Sequence, residues 1–238
     1  MNDLVFISDL HLHPKDKDLQ SKFDAFIEWA KISTKKVYIL GDFFHVWVGD
    51  DAIDDWSHGI ANQLQSLKSV GVCVFFMPGN RDFLLNQTFA KLAGWEVLRE
   101  PTHLKLGGED VLLMHGDGYC TLDKNHQRFR KLTRNPVFTW MFSCLPLSYR
   151  IGLANKVRKL SMAQTKPPEQ MDVVASTVVN HMFHEKVSLL IHGHTHKPGI
   201  SHYSFKNINM RRYVLSDWDD KPQILSYNSS KGLYFDFL

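Results

Sequence analysis

Cysteine is scarce: three in 238 residues, Cys73, Cys120 and Cys144, far apart and odd in number. Neither a disulfide framework nor a cysteine zinc site can be built on that spacing, so a reducing, cytoplasmic compartment is expected. A basic n-region and a cleavage site are missing too. Met1-Asn2-Asp3 runs straight into an apolar strand, and no signal peptide is expected. No apolar run approaches the ~18 residues that a membrane span needs, which excludes a helical membrane span. Acid is absent locally: between Lys124 and Pro168 stand ten Lys/Arg and no Asp or Glu, against an overall formal charge of +3. A solvated basic helix face would explain a basic bias, but the complete lack of acids argues for an anionic partner.

What is present is a series of five short polar motifs in fixed order: Asp9-Leu10-His11, Gly41-Asp42, Gly79-Asn80-Arg81-Asp82, His115 within Met-His-Gly-Asp, and Gly193-His194-Thr195-His196. Four follow an apolar run that reads as a buried strand, and the fifth follows Val72–Met77 after one proline. The remaining pattern alternates. Leu4–Ser8, Val37–Leu40, Val72–Met77, Val111–Met114 and Val187–Ile191 read as strands; Leu19–Ile32, Ile60–Val70 and Phe83–Ala93 read as helices; the tail from Arg211 reads as antiparallel strands. This predicts an α/β sheet with ligands at the strand ends. Residues 120–170 break the alternation and look helical, so the division expected is a core of 1–119 and 171–238 with an inserted helical lid at 120–170.

Each motif has a plain alternative. Asp9 and His11, two apart, share a face of a strand and can reach one metal; otherwise they are a strand-terminal turn and an exposed histidine. Asp42 can offer one oxygen to each of two cations, or cap a helix. Asn80 supplies a neutral amide oxygen suited to a hard cation, or belongs to a common Gly-Asn turn. His115, after four apolar residues, could be a satisfied core histidine. His194 and His196 bracket a two-metal site naturally, and His192 is assigned to support or structure. Oxygen and imidazole ligands gathered at successive strand ends are what a two-metal hydrolytic site requires.

The order D-x-H, GD, GN[HR]D, H, GHxH resembles the calcineurin-like metallophosphoesterases, from Asp9 to His196. The resemblance implies a four-layered α/β/β/α sandwich with two metals. Asp9, His11, Asp42 and His196 would hold one ion, and Asp42, Asn80, His115 and His194 the other, with Asp42 bridging. Most members carry histidine after the asparagine, where it assists the departing oxygen. Arg81 stands there instead, always charged and unable to act as a general acid at neutral pH. It suits a leaving group that is already a phosphate, which favours pyrophosphate cleavage.

Gly-Asn-Arg-Asp-Phe-Leu-Leu, Trp47 with Gly49-Asp50-Asp51, His115-Gly116-Asp117 and the basic insert resemble one branch of that family. Its members cleave the pyrophosphate of UDP-linked 2,3-diacylated glucosamine in lipid A biosynthesis. The resemblance implies two Mn²⁺ ions, release of UMP and the diacylated sugar 1-phosphate (lipid X), and peripheral attachment to the cytoplasmic face of the inner membrane. Asn80, Arg81 and His194 would be catalytic; Asn80, Arg81, Asp123, Ser161, Gln164, Lys166 and His194 would contact substrate. His45 stands where the branch carries an acid. Arg130, Lys131, Arg134, Arg158 and Lys159 are expected to face headgroups or an anionic membrane. Phe138, Trp140, Phe142 and Leu145 would line an acyl cavity or dip into the membrane interface, or form the lid's own core. No nucleic acid is expected as a partner. The competing reading is a soluble nucleotide phosphodiesterase or nuclease of the same fold, whose basic lid would grip a phosphate backbone.

Overall fold

A computed structural model describes residues 1–163, 167, 169–219 and 221–237, without the side chains of 161–163. Two sheets form its centre. The first is six-stranded. Leu4–Ile7 (β1), Lys36–Leu40 (β2), Cys73–Met77 (β3) and Glu96–Val97 (β4) run parallel, and Gln223–Asn228 (β10) and Gly232–Phe237 (β11) join antiparallel beyond β1. The second is five-stranded, in the order Thr102–Leu106 (β5), Glu109–Met114 (β6), Leu189–His192 (β7), Ile208–Val214 (β9) and Gly199–Phe205 (β8).

Alternation of side chains builds the layers. From β1, Val5 and Ile7 pack against the helices Lys17–Ser33 (α1), Asp55–Ser69 (α2) and Gln87–Ala93 (α3) through Phe23, Phe26, Leu64 and Phe89. Leu4 and Phe6 turn the other way and meet Val111, Leu113 and Ile191 of the second sheet. Leu112, Met114 and Leu190 then face Val178, Val179 and Met182 of the helix Ala175–His184 (α7). The result is an α/β/β/α sandwich. Strands buried on both faces read as unbroken apolar runs, which is why β1, β2, β3, β6 and β7 are visible in the sequence.

Local chemistry sets the helix starts. Asp54 and Ser57 form a reciprocal capping box that begins α2 at Asp55, ahead of the expected Ile60. The helix expected over Phe83–Ala93 begins only at Gln87. Asp50 accepts from the backbone N–H of Asn86 and of Phe89, both at 3.0 Å, and Asn86 caps from its own side chain, so 83–86 stay outside the helix.

Three helices, Lys124–Thr133 (α4), Pro136–Ser143 (α5) and Leu147–Ala163 (α6), lie between β6 and α7. Several of their basic residues have partners within the fold. Arg130 pairs with Glu100 and Asp117, Arg134 donates to the carbonyls of Pro78 and Gly79, and Arg158 donates to the carbonyl of His45. Buried Arg150 binds Asp51 and the carbonyls of Val48 and Leu145. Lys131 and Lys159 stay exposed. The aromatic residues divide as well: Phe142 packs against the core beneath the first sheet, whereas Trp140 is 68% exposed.

Phe76 is fully buried and stacks on Trp95 at 4.5 Å. Phe76→Ala is expected to cost about 3–5 kcal/mol. Urea unfolding should report this as a lower midpoint with an unchanged slope.

Candidate metal centre

The carboxyl ends of β1, β2, β3, β6 and β7 meet at one rim, and the polar motifs stand in the loops that leave them. Backbone bonds continue the strand pairing past those ends: Asp9 N to Gly41 O (3.1 Å), His11 N to Asp42 O (3.0 Å) and Gly193 N to His115 O (2.9 Å). The loops are therefore registered against one another before any side chain is considered. Asp9, His11, Asp42, His194 and His196 all adopt left-handed backbone, with φ of 56°, 53°, 53°, 70° and 54°. Such angles are uncommon outside glycine and gather at functional sites.

Two groups of ligand atoms result, Asp9 with His11 and His196, and Asp42 with His115 and His194; within each, the atoms lie within 4.8 Å of one another. Asn80 joins the second, its Oδ1 3.0 Å from His115 Nε2, while Asp42 Oδ1 lies 3.6 Å from the same nitrogen. In the first, His11 Nε2 and His196 Nε2 approach to 3.2 Å, and Asp9 Oδ1 is 3.5 Å from His196 Nε2. All seven residues picked out as ligands in the sequence thus stand at this rim.

The orientation of each ligand has an identifiable cause. His115 Nδ1 donates to Leu40 O at 2.9 Å, which fixes the tautomer and turns Nε2 toward Asn80 and Asp42. Asp9 Oδ2 accepts from Ser8 Oγ (2.5 Å) and His194 N (2.7 Å), leaving the buried Oδ1 without a hydrogen-bond donor. Asp217 lies 3.3 Å from His196 Nδ1. His192 is not in either group; its Nδ1 bonds Gly193 O at 2.8 Å, a supporting position as expected.

Electrostatics show that the pocket fits cations. Burial disfavours charge on His115, yet Asp42, Asp9, Asp117 and Glu100 together push it up to about 9. Burial also pushes the Asp42 carboxyl up, with Asp82 and Asp9 adding repulsion. The pocket therefore draws positive charge, and Asp9 Oδ1 is a buried acceptor with no donor of its own. Burial, aided by Arg81 at His11 and by His115 at His194, holds both imidazoles down, His194 to about 3. Neutral imidazole is the form that ligates metal. Imidazole nitrogens with carboxylate and amide oxygens make a donor set suited to divalent ions.

Several contributors were not assigned a role from the sequence. Asp82, last of Gly-Asn-Arg-Asp, accepts from the backbone N–H of Gly79 (2.7 Å), Asp42 (3.3 Å), Phe43 (2.7 Å) and Phe44 (3.3 Å), tying two loops together. Its place inside a quoted motif was the available signal. Asp217, Glu100 and His126 carry none, because they reach the site only through the fold. Arg81 lies beside Asp42, backbone N to Oδ1 at 2.9 Å and Nε to Oδ2 at 3.3 Å. Asp123 caps α4, its Oδ1 accepting from His126 N at 3.0 Å, and the His126 ring stacks on His194 at 5.5 Å. Gln164, Lys166 and the Ser161 side chain lie outside the described residues. Because Arg158 bonds the main-chain carbonyl of His45, the contact does not depend on which side chain position 45 carries.

Comparison with known proteins agrees with this geometry. The model of the calcineurin-like phosphoesterase family matches residues 3–198. A UDP-2,3-diacylglucosamine hydrolase of Pseudomonas putida strain KT2440 is 42% identical over 218 residues, 91% of each chain. One from Pseudomonas paraeruginosa strain PA7 is 43% identical over 229 residues, 95% of each. A solved archaeal phosphodiesterase superposes over 99% of both chains with a TM-score of 0.50 at 11% identity, a likeness of fold alone. The chain belongs to the calcineurin-like phosphoesterases and, within them, to the family of the UDP-2,3-diacylglucosamine hydrolases.

Proposed function

We propose that the chain hydrolyses the pyrophosphate bond of UDP-2,3-diacylglucosamine, releasing UMP and 2,3-diacylglucosamine 1-phosphate in lipid A biosynthesis. The observation that carries the reading is Arg81, a permanent cation 3.3 Å from Asp42 at the junction of the two ligand groups. It stands where an enzyme that expels an alkoxide needs a proton donor. Relatives of the same name, about as long as this chain, support the substrate.

Two Mn²⁺ ions would be held here, one by Asp9, His11, Asp42 and His196, the other by Asp42, Asn80, His115 and His194. Such ions would supply Lewis acidity toward phosphoryl oxygens and a water acidified near neutral pH. Water adds in line to the phosphorus nearer uridine, and the bond to the bridging oxygen breaks. That oxygen leaves on the sugar phosphate, a group stable as an anion near pH 7. Arg81 neutralises its charge without a proton transfer. Asn80 and His194 orient the phosphoryl group. Asp123, with Ser161, Gln164 and Lys166, contacts the rest of the substrate.

None of the described helices is long and apolar enough to cross a membrane. We infer peripheral attachment to the cytoplasmic face of the inner membrane. Val137, Trp140, Met141 and Tyr149 are each more than half exposed on α5 and α6, close in sequence to the exposed Lys131, Lys156 and Lys159. Apolar and cationic side chains together suit an anionic interface.

Three outcomes are expected. Incubation with UDP-2,3-diacylglucosamine and Mn²⁺ yields UMP and the sugar 1-phosphate by mass spectrometry; hydrolysis of simple phosphodiesters without UMP release would favour the nucleotide phosphodiesterase reading. Arg81→Ala lowers turnover about 10²–10³-fold, the range for losing one stabilising donor, at unchanged metal content; near-normal turnover discards the role. Mn²⁺ added to the chelator-treated chain raises its melting temperature, with about 2.7 kcal/mol per ion at a hundredfold excess over Kd. Asp42→Asn should lose that rise, and an undiminished rise removes Asp42 from the ligand set.

A further inference from the structure

We infer that helix α4 forms the outer wall of the second cation's site and that Arg130 and Arg134 are positioning residues for its ligands. The inference rests on the metal reading above and adds a dependence of one ion, and not the other, on the inserted helices.

Three ligands of the second group meet α4 directly or through a group that α4 holds. For His115 the link is Glu100: Oε1 accepts from the His115 backbone N–H at 2.8 Å, while Oε2 lies 2.7 Å from Arg130 Nη2 and 3.7 Å from Arg134 Nη2. Arg130 Nε also reaches Asp117 Oδ1 at 3.0 Å, two residues beyond His115. For Asn80 the link is Arg134, the residue that caps the C-terminus of α4, whose Nη2 donates to the carbonyls of Pro78 (3.1 Å) and Gly79 (3.2 Å), just ahead of it. His194 meets α4 face to face, its ring stacked on that of His126 at an interplanar angle of 24°.

The first group is supported from elsewhere. Asp9 is held by Ser8 Oγ and His194 N, and His196 by Asp217, all outside α4–α6. Among the described residues, Arg130 and Arg134 make no hydrogen bond or ion pair to Asp9, His11 or His196.

Desolvation makes the α4 contacts strong. The side chains of Glu100 and Asp117 are 7% and 0% exposed, so their arginine pairs escape the solvent screening that weakens surface pairs. Removing Arg130 takes the nearest cation from both carboxylates beside the backbone of His115; removing Arg134 frees the carbonyls of Pro78 and Gly79 ahead of Asn80. Groups that orient ligands in this way affect metal affinity about 10–100-fold. By linkage, whatever seats α4 tightens the second ion, and that ion seats α4 to the same extent.

The test equilibrates the full chain with graded free Mn²⁺ and counts bound metal by atomic absorption. In Arg134→Gln one ion should keep its wild-type affinity while the other weakens about 10–100-fold. Wild-type affinity for both ions, or equal weakening of both, overturns the inference. A wild-type chain that binds no Mn²⁺ overturns the metal reading itself. Melting in chelator reports whether each variant is folded. Should Arg134→Gln fail there, Glu100→Gln takes its place, keeping a carbonyl for His115 N–H while removing the charge that the two arginines hold. The same split is expected from it, and its absence overturns the inference.

Discussion

Negative charge held out of water is the constraint on which the rim of the two sheets depends. Asp9, Asp42, Asp82 and Asp117 are all buried there. An isolated buried carboxylate is strongly disfavoured, so each must be compensated. Asp82 is compensated by four backbone N–H groups, Asp117 by Arg130, and Asp9 by Ser8, His194 N and His196. Asp42 is compensated least: one backbone N–H, an arginine that is a third exposed, and a histidine at 3.6 Å. Its carboxyl is accordingly pushed up by burial while its neighbour His115 is pulled up by the acids around it. A cation held by Asp42 and His115 would meet both demands.

The backbone is arranged to bring those charges together. Five of the seven proposed ligands sit at left-handed φ, each costing on the order of 1–3 kcal/mol. Strain of this kind persists only where the surroundings over-determine it. Here the loops are pinned by bonds that prolong the strand pairing and by Asp82, which collects N–H groups from the β2 and β3 loops at once. Gly79 belongs to the same device. A Cβ there would collide with the Asp42 carboxylate, so glycine is what lets the Asn80 loop approach Asp42 closely enough to share a cation.

How much of this was legible follows from the physics of each part. Strands buried on both faces announce themselves as apolar runs, and ligands at their ends follow at once, so the core and its seven candidates could be read from the chain. Edge strands could not. In β8 exposed and half-buried residues alternate, and β4 has two residues, one exposed, which leaves no apolar run to find. Start points of α2 and α3 depended on caps made by Asp54, Asp50 and Asn86, the second reaching 36 to 39 residues along the chain. The basic insert misled in one respect. A run of Lys and Arg without acids argues in sequence for an anionic partner, whereas Arg130, Arg134, Arg150 and Arg158 find acids and carbonyls within the fold. Charge missing from a segment can be supplied by its partner in the fold as well as by a ligand.

That division of labour clarifies what Arg81 does in the pocket. The arginines of the insert are occupied by core carboxylates and carbonyls, so they contribute support more than free charge. Among the described residues, the Arg81 guanidinium pairs only with Asp42, and it is a third exposed. Its charge is felt at His11 and Arg158, both depressed first by burial and then by Arg81. A cation neutralising Asp42 would compete with the guanidinium for that carboxylate. On the proposed mechanism the guanidinium would neutralise a departing phosphate, which a histidine at that position, losing its charge near neutral pH, would do less well.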